Sequence, residues 1–392
     1  MSSDTQSKID QLLTRGVAEI IDKESLVKKL NSGKELIVKF GTDPTSPNIH
    51  LGRSIPLLKL RDFQDLGHQV VLLIGDFTGL IGDTSDKDSE RPMLSKETIQ
   101  TNLKTYIDQA AKILDISKVK VVYNSEWLSK LNYFDICEQA DLFSINQFIS
   151  RENISKRLDE GKRVSLREIM YPLMQGYDSV QLKSNVEIGG TDQKFNLLAG
   201  RDLQRHYKQE PQDIVMGPII EGLDGRKMSS SYGNTVNIFD TANDMFGKIM
   251  SVNDEFIIKY FVYLTRVKLS LIEKYESDLK DGINPRDIKI LLGKEIVKMY
   301  HSAEDADRAE QYFVNTFTKK EIPDDMMELT PTDYNIVSVL IESKLAESKS
   351  EARRVIEQGG VKVNGEVLKD LDMIIGKDST IQKGKMGFVR VR

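Results

Sequence analysis

Two short segments set far apart in the chain carry residue types suited to handling a polyphosphate: His50-Leu51-Gly52-Arg53 and Lys227-Met228-Ser229-Ser230-Ser231. In the first, a histidine and an arginine flank a glycine that lets a base or ribose approach the backbone closely. The second lies in a glycine-flanked polar loop, residues 222–234, with two adjacent cations, Arg226 and Lys227, and three hydroxyls. Such a loop is able to move and to close on phosphates. Taken singly, the first segment reads as a helix cap and the second as a solvated basic turn. Taken together and in this order, they point to a nucleotide site.

The elements that must position these residues surround them. Residues 36–40 form an apolar, strand-like run, and residues 41–48 are turn-rich. After the first motif, Ile55, Leu57, Leu58, Leu60, Phe63 and Leu66 recur at helical spacing, and residues 70–74 read as a second buried strand. Strand, loop, helix, strand is a βαβ unit that puts His50 and Gly52 at a helix start, where unpaired N–H groups and the helix dipole favour a phosphate. Pro56 is expected in the first helical turn, where its missing N–H is tolerated. Alternating patterns continue to about residue 240, with residues 118–123 and 213–216 as further strands, which favours a helix-covered α/β sheet.

From 241 to 320 the pattern turns helical, with one apolar stripe of Ile257, Ile258, Tyr260, Phe261 and Leu264 and another of Ile288, Ile290, Leu291, Leu292, Ile296 and Val297. Both read as helix packing without chemistry. Residues 321–333 are polar and proline-punctuated, the signature of a linker. Beyond them Ser348 caps a short amphipathic helix, with Glu351 completing a capping box. Gly359-Gly360 ends that helix, and a strand then enters a tight turn at Asn364-Gly365.

At 392 residues the chain is long enough for two or three domains. A net charge of −5 argues against coating nucleic acid through bulk positive charge, so any RNA contact must come from local basic patches. A single cysteine, Cys137, excludes an intrachain disulfide and a cysteine-rich zinc site, and His50, His68, His206 and His301 lack metal-ligand spacing. No protein-held metal is expected. With no signal-peptide core and no apolar stretch of membrane-spanning length, a cytoplasmic location without a membrane partner is expected.

The two motifs resemble the His-Ile-Gly-His and Lys-Met-Ser-Lys-Ser signatures of class I aminoacyl-tRNA synthetases. Gly79-Leu80-Ile81-Gly82-Asp83, Tyr171 with Gln175-Gly176-Tyr177-Asp178, and Gly189-Gly190-Thr191-Asp192-Gln193 extend the resemblance to bacterial tyrosyl-tRNA synthetases over essentially the whole chain. The resemblance implies an α/β fold: a Rossmann-like catalytic domain over 1–240, a helical anticodon-binding-type domain over 241–320, and, after the 321–333 linker, a small α+β RNA-binding domain over 334–392. It implies a tyrosine–tRNA ligase. The tyrosine carboxylate attacks the α-phosphorus of ATP, pyrophosphate leaves, and the tyrosyl-adenylate acylates the 3′ end of tRNA(Tyr). Because the substrate supplies the nucleophile, catalysis rests on positioning and on stabilising charge at the departing pyrophosphate.

The same resemblance distributes the residues. Thr45 and His50 contact phosphate from the first loop, Lys87 and Arg91 from a second, and Lys227 with Ser229, Ser230 and Ser231 from the third. Gly41, Asp43, Gly52, Asp192 and Met228 belong to the ATP site, with Asp192 accepting a ribose hydroxyl, and Mg²⁺ arrives with ATP. Positions 171, 175 and 178 fall at i, i+4, i+7 and share one helix face. By resemblance Tyr171, Gln175 and Asp83 hold the substrate ammonium, Asp178 accepts the phenol O–H, and Gln193 completes the tyrosine site. Arg353, Arg354, Lys362, Lys383 and Lys385 would contact RNA phosphates, a solvated charged face being the competing reading. A homodimer is implied, with residues 127–148 supplying apolar interface. No editing domain is expected, because phenylalanine would leave a buried polar group unpaired; its rejection by tyrosine-specific synthetases is the type example of this effect, and only the direction is used.

Three positions depart from the family pattern. Ser230 stands for the second signature lysine, and Lys39 stands where many relatives place a second phenol-binding tyrosine, so it is grouped with the tyrosine site. Arg53 replaces the second signature histidine and is grouped with the catalytic residues, since an arginine at a helix start donates to ribose or phosphate oxygens as an imidazole does. The competing reading turns Arg53 to solvent. A tryptophanyl-tRNA synthetase would share both signatures, but the Gln175–Asp178 segment and the C-terminal module weigh against it. A small-molecule nucleotidyltransferase would not need residues 331–392, and a catalytically inert RNA-binding relative would not need Thr45, His50, Asp83, Asp178 and Lys227.

Overall fold

The apolar runs of the sequence become one six-stranded sheet. In the computed structural model, which describes residues 3–83, 93–318, 326–384 and 387–392, its strands are β1 (Glu19–Ile21), β2 (Ile37–Thr42), β3 (Gln69–Ile74), β4 (Val119–Tyr123), β5 (Val186–Gly190) and β6 (Asp213–Gly217). Their order is β1-β6-β5-β2-β3-β4. All neighbours are parallel except β1 with β6. Helices cover both faces, which is why the central strands are mostly apolar, Lys39 of β2 and Glu187 of β5 being exceptions. From β2 the chain moves outward through β3 and β4, then returns to add β5 on the other side of β2. This reversal opens a crevice at the carboxyl ends of β2 and β5, the place where such sheets bind ligands.

His50 is the N-cap of the Leu51–Asp65 helix, its ring accepting from the Arg53 backbone N–H. Pro56 does not sit in the first turn as expected; it lies inside the helix and leaves the Gly52 carbonyl without an i+4 donor. The Leu166–Leu182 helix starts at Ser165 with a reciprocal capping box to Glu168. It presents Tyr171, Gln175 and Asp178 to the crevice.

The segment after residue 240 is helical, as its periodicity requires: Ala242–Met250, Ile257–Leu264, Leu269–Lys280, Pro285–Tyr300 and Ala303–Phe313. Its core does not separate from that of the sheet, because one apolar cluster runs from Ile9 through Val38 and Phe63 to Phe261, Leu292 and Ala309. Arg15 reinforces the join by donating to the carbonyls of Phe261, Val262 and Val267. Leu291 departs from the expected stripe, being 38% exposed.

The C-terminal module has its own core, with Ile336, Leu340, Ile356, Ile381 and Val389 fully buried. Its strands β7 (Met327–Leu329), β8 (Val361–Val363), β9 (Glu366–Val367), β10 (Thr380–Lys383) and β11 (Gly387–Val391) are ordered β7-β11-β10-β8-β9. Residues 327–329, expected in the linker, are therefore a strand of this module, paired in parallel with β11. The Asn364-Gly365 turn forms as expected, both residues taking positive φ. The capping box forms only by half. Ser348 accepts from the Glu351 N–H at 3.2 Å, but the Glu351 carboxylate turns to the Glu347 N–H and to Lys383.

Candidate active site

Parallel strands end with their carboxyl termini at one edge of the sheet, so the residues that follow them converge. Asp43 and Thr45 after β2, Gly75 and Thr78 after β3, Asn124 after β4 and Asp192 after β5 all line a cavity of about 670 Å³. The Lys227–Ser231 loop closes its far side. Gly41, Asp83, Gln193, Met228, Ser229 and Ser230 also border it.

At the nucleotide end, His50 is buried and its Nδ1 accepts from the Arg53 N–H at 3.3 Å. That bond assigns the ring proton to Nε2, leaving a donor for a phosphate oxygen. Burial, with the charges of Arg53 and Lys227 nearby, lowers its pKa to about 3, so the ring works as a neutral imidazole. Arg53 turns into the cavity: Nη2 donates to Thr45 Oγ1 at 3.1 Å, and Nη1 is buried without a hydrogen-bond partner among the described residues. The solvent-facing reading of Arg53 is thereby excluded.

The signature loop is seated on this helix start. Gly52 N–H points at Met228 Sδ at 3.3 Å, and Lys227 Nζ pairs with Asp192 Oδ2 at 2.8 Å. The groups assigned to ribose and phosphate are thus each other's partners here. The root of the loop is tied down by Glu221, whose carboxylate takes Lys259 at 2.7 Å and whose carbonyl accepts from Tyr260 Oη at 2.6 Å.

At the opposite end lies Asp178, 2% exposed. Its Oδ1 accepts from Trp127 Nε1 at 2.7 Å and its Oδ2 from Asn124 Nδ2 at 3.3 Å. Asn124 also donates to Thr78 Oγ1 at 2.9 Å, Thr78 donates to Asp43 Oδ1 at 2.8 Å, and Tyr171 Oη donates to Asp43 Oδ2 at 2.8 Å. One hydrogen-bonded chain therefore runs from Asp178 through Asn124 and Thr78 to Asp43 and Tyr171. Gly75 has to be glycine, because a Cβ there would collide with Asp43 Oδ1 and Thr78 Oγ1. Burial raises the Asp178 pKa to about 7, opposed by the Lys39 charge and by the Trp127 and Asn124 hydrogen bonds. Burial and the carboxylates of Asp43 and Asp83 push Tyr171 well above the usual phenol range, so it stays a donor.

Gln175 lines the cavity with its amide fixed: Nε2 donates to Glu187 Oε1 at 3.1 Å, and Oε1 accepts from Asn196 Nδ2 at 3.1 Å. Lys39 corrects the sequence reading. It does not line the cavity; its ammonium lies beneath the Leu166–Leu182 helix, paired with Glu187 at 3.0 Å. A β-strand alternates its side chains, and position 39 faces the helix layer.

Outside the cavity the outcome is mixed. Lys87, Arg91 and Lys385 lie outside the described residues. Arg353, Arg354 and Lys362 are exposed on the C-terminal module, whereas Lys383 is held by Glu351 at 2.6 Å and by the Leu345 carbonyl. Trp127, at the start of the segment expected to supply the interface, turns its indole N–H inward to Asp178. Sequence reasoning missed Gly75, Thr78, Asn124 and Glu187. The first three sit just after strand ends, a positional signal that was available; Glu187 interrupts an apolar strand, a signal for a buried charge. Among the described residues, no group of three or more His, Cys, Asp or Glu side chains gathers as a metal site, and no helix is long and apolar enough to cross a membrane.

Residues 31–318 match the family model "tRNA synthetases class I (W and Y)" and residues 314–390 the "Tyrosine--tRNA ligase SYY-like C-terminal domain". The chain is 46% identical to the tyrosine–tRNA ligase of Carboxydothermus hydrogenoformans, covering 97% of each chain. It is 45% identical to that of Thermotoga maritima, covering 100% of this chain and 98% of the relative. A tyrosyl-tRNA synthetase from Archaeoglobus fulgidus, solved with L-tyrosine, superposes with a TM-score of 0.63 at 25% identity over 78% of this chain and 100% of that one. A C-terminally truncated mitochondrial tyrosyl-tRNA synthetase from Aspergillus nidulans, at 19% identity and a TM-score of 0.66 over 79% of this chain and 94% of that one, shares the fold. The Carboxydothermus and Thermotoga relatives, matched over nearly the full length, are tyrosine enzymes, which decides against the tryptophan alternative, and the chain belongs to the tyrosine–tRNA ligase family of class I aminoacyl-tRNA synthetases.

Proposed function

We propose that this cavity binds L-tyrosine with its phenol at Asp178 and its ammonium among Tyr171, Gln175 and Asp83, and binds MgATP with its phosphates at Thr45, His50, Arg53 and Lys227. The observation that carries the reading is the buried Asp178 carboxylate at the closed end of the cavity, oriented by Trp127 and Asn124 to accept one further hydrogen bond. Attack of the tyrosine carboxylate on the α-phosphorus builds negative charge on the leaving pyrophosphate. Neutral His50 donates to it, and the cations Arg53 and Lys227 stabilise it. For ATP to bind, the Lys227–Asp192 pair opens, releasing Asp192 to the ribose and Lys227 to the phosphates. Magnesium travels with the nucleotide and is treated as part of that substrate.

The tRNA would lie along the helical segment 241–320 and the C-terminal module, whose exposed Arg353, Arg354 and Lys362 offer phosphate contacts. We take the working unit to be a cytoplasmic homodimer. Its support is a run of exposed large apolar side chains within the segment 127–148, Tyr133 (84% exposed), Phe134 (75%) and Ile145 (59%). The decisive experiment is exchange of labelled pyrophosphate into ATP measured with each of the twenty amino acids. Tyrosine should support it and phenylalanine and tryptophan essentially not; exchange driven chiefly by any other amino acid overturns the reading.

A further inference from the structure

Lys39 of β2 and Glu187 of β5 are partners across the sheet. Their side chains rise into the dry layer under the Leu166–Leu182 helix, with side-chain exposures of 0% and 1%. The Lys39 ammonium has three acceptors: Glu187 Oε1 at 3.0 Å, Ser179 Oγ at 2.7 Å and the Gln175 carbonyl at 3.3 Å. Glu187 in turn accepts from Gln175 Nε2 at 3.1 Å, from Ser179 Oγ at 3.1 Å and from Gln212 Nε2. A buried ion pair is weak evidence for stability, since apolar residues of similar volume serve a core as well or better. This pair contacts the one stretch of helix that carries two substrate-facing residues, Gln175 and Asp178.

Two consequences follow from its chemistry. A carboxylate accepts and never donates, so Gln175 has to present its NH₂ to Glu187 and keep its carbonyl oxygen toward Asn196. Asp178, buried next to Ser179, meets in Lys39 the positive charge that most opposes its desolvation. Among the described residues, the other ionisable groups that act on Asp178 or Tyr171 are Glu187 from β5 and Asp43 and Asp83 from across the cavity, all of them carboxylates.

Building on the tyrosine-activation reading, we propose that the buried Lys39–Glu187 pair is the specificity device of the amino-acid pocket. It keeps Asp178 an acceptor-only carboxylate for a phenol O–H and sets the Gln175 carbonyl toward the substrate ammonium. Lys39 is thus a positioning residue that selects a para-hydroxyphenyl side chain without touching it.

The chain contains a single tryptophan, Trp127, and its indole N–H is bonded to Asp178, so its fluorescence reports the charge of that carboxylate directly. In the full-length parent, a pH titration of Trp127 fluorescence should show a midpoint near about 7, absent in Asp178→Asn. The double variant Lys39→Met/Glu187→Gln removes both charges and strands neither. Its midpoint should rise by about one unit, a roughly tenfold change in proton affinity. In pyrophosphate exchange at pH 7 its KM for tyrosine should rise about fivefold and its tyrosine-to-phenylalanine preference fall by a similar factor, with KM for ATP unchanged and recovery toward the parent at pH 9. Glu187→Gln alone keeps the lysine charge, so its midpoint should hold or fall while KM for tyrosine rises through the released Gln175 amide. A folded double variant with the parent's midpoint and preference overturns the proposal. So does a rising midpoint in Glu187→Gln, which is decisive even if the double variant does not fold. A shifted titration in a parent lacking tyrosine-dependent exchange would instead overturn the functional reading and keep the role of the pair.

Discussion

The Arg53 guanidinium donates from Nη2 to the Thr45 hydroxyl across 3.1 Å while its Nη1 lies buried without a partner among the described residues. The residue that departs from the family signature is therefore anchored to one that keeps to it, with a donor left for a ligand oxygen. Arg53→Ala should lower the rate of adenylate formation by roughly 10- to 100-fold, about 1.4–2.7 kcal/mol, with tyrosine affinity nearly constant. Pre-steady-state measurement decides it: an alanine variant as fast as the parent, or Arg53→His much faster, would show that Arg53 contributes nothing to the chemistry.

Asp178 titrates at about 7 and His50 only at about 3. Protonating Asp178 removes the phenol's acceptor, so kcat/KM for tyrosine should fall about tenfold per pH unit below 7 and level off above it. His50 adds no acid limb until far lower pH. In Asp178→Asn the limb should vanish; its persistence would assign it to another group.

The same shift predicts a stability effect of opposite sense. The folded pKa of Asp178 lies above its unfolded value of 3.8, so folding favours the protonated form, and stability is lost as pH rises from about 4 through 7. Asp178→Asn should accordingly gain more Tm relative to the parent at pH 8 than at pH 4. Equal differences at both pH values would contradict the burial argument.

Replacing Asp178 with asparagine should also lower the tyrosine-to-phenylalanine preference by roughly 10- to 100-fold, the scale of one hydrogen bond to a charged group, before ATP binding weakens. Exchange kinetics with both amino acids test this, and an unchanged ratio would show that the phenol lies elsewhere.

Because the C-terminal module buries its own core, a chain ending at Asp325 should still form adenylate at a rate within about twofold of the parent, yet charge tRNA at least about tenfold more slowly. Full charging by the shortened chain would remove the case for an RNA contact there.

Tyr133 and Phe134 are both exposed at the start of the Tyr133–Ala140 helix. Changing both to Asp should convert a dimer to a monomer in sedimentation at micromolar concentration, since two carboxylates at an apolar contact go unpaired. A parent that sediments as a monomer would refute the interface outright.

The sequence by itself determined the parallel sheet, the helix start at His50, the shared face of Tyr171, Gln175 and Asp178, and the hairpin at Asn364-Gly365. Each follows from a local rule: strand runs, capping, helical period or turn chemistry. The helical segment from 241 was legible in the same way, but its sharing of one core with the sheet was not, because periodicity says which face is apolar and not what it meets. Lys39 shows the limit most clearly. Its place in the alignment of motifs suggested the substrate pocket, while strand pleating and a glutamate on the neighbouring strand sent it beneath the helix. The inward turn of Trp127 and the pairing of Lys227 with Asp192 belong to the same class. Contacts between residues distant in the chain are set by crossover topology and by the need of buried polar groups for partners, and those the tertiary structure alone decided.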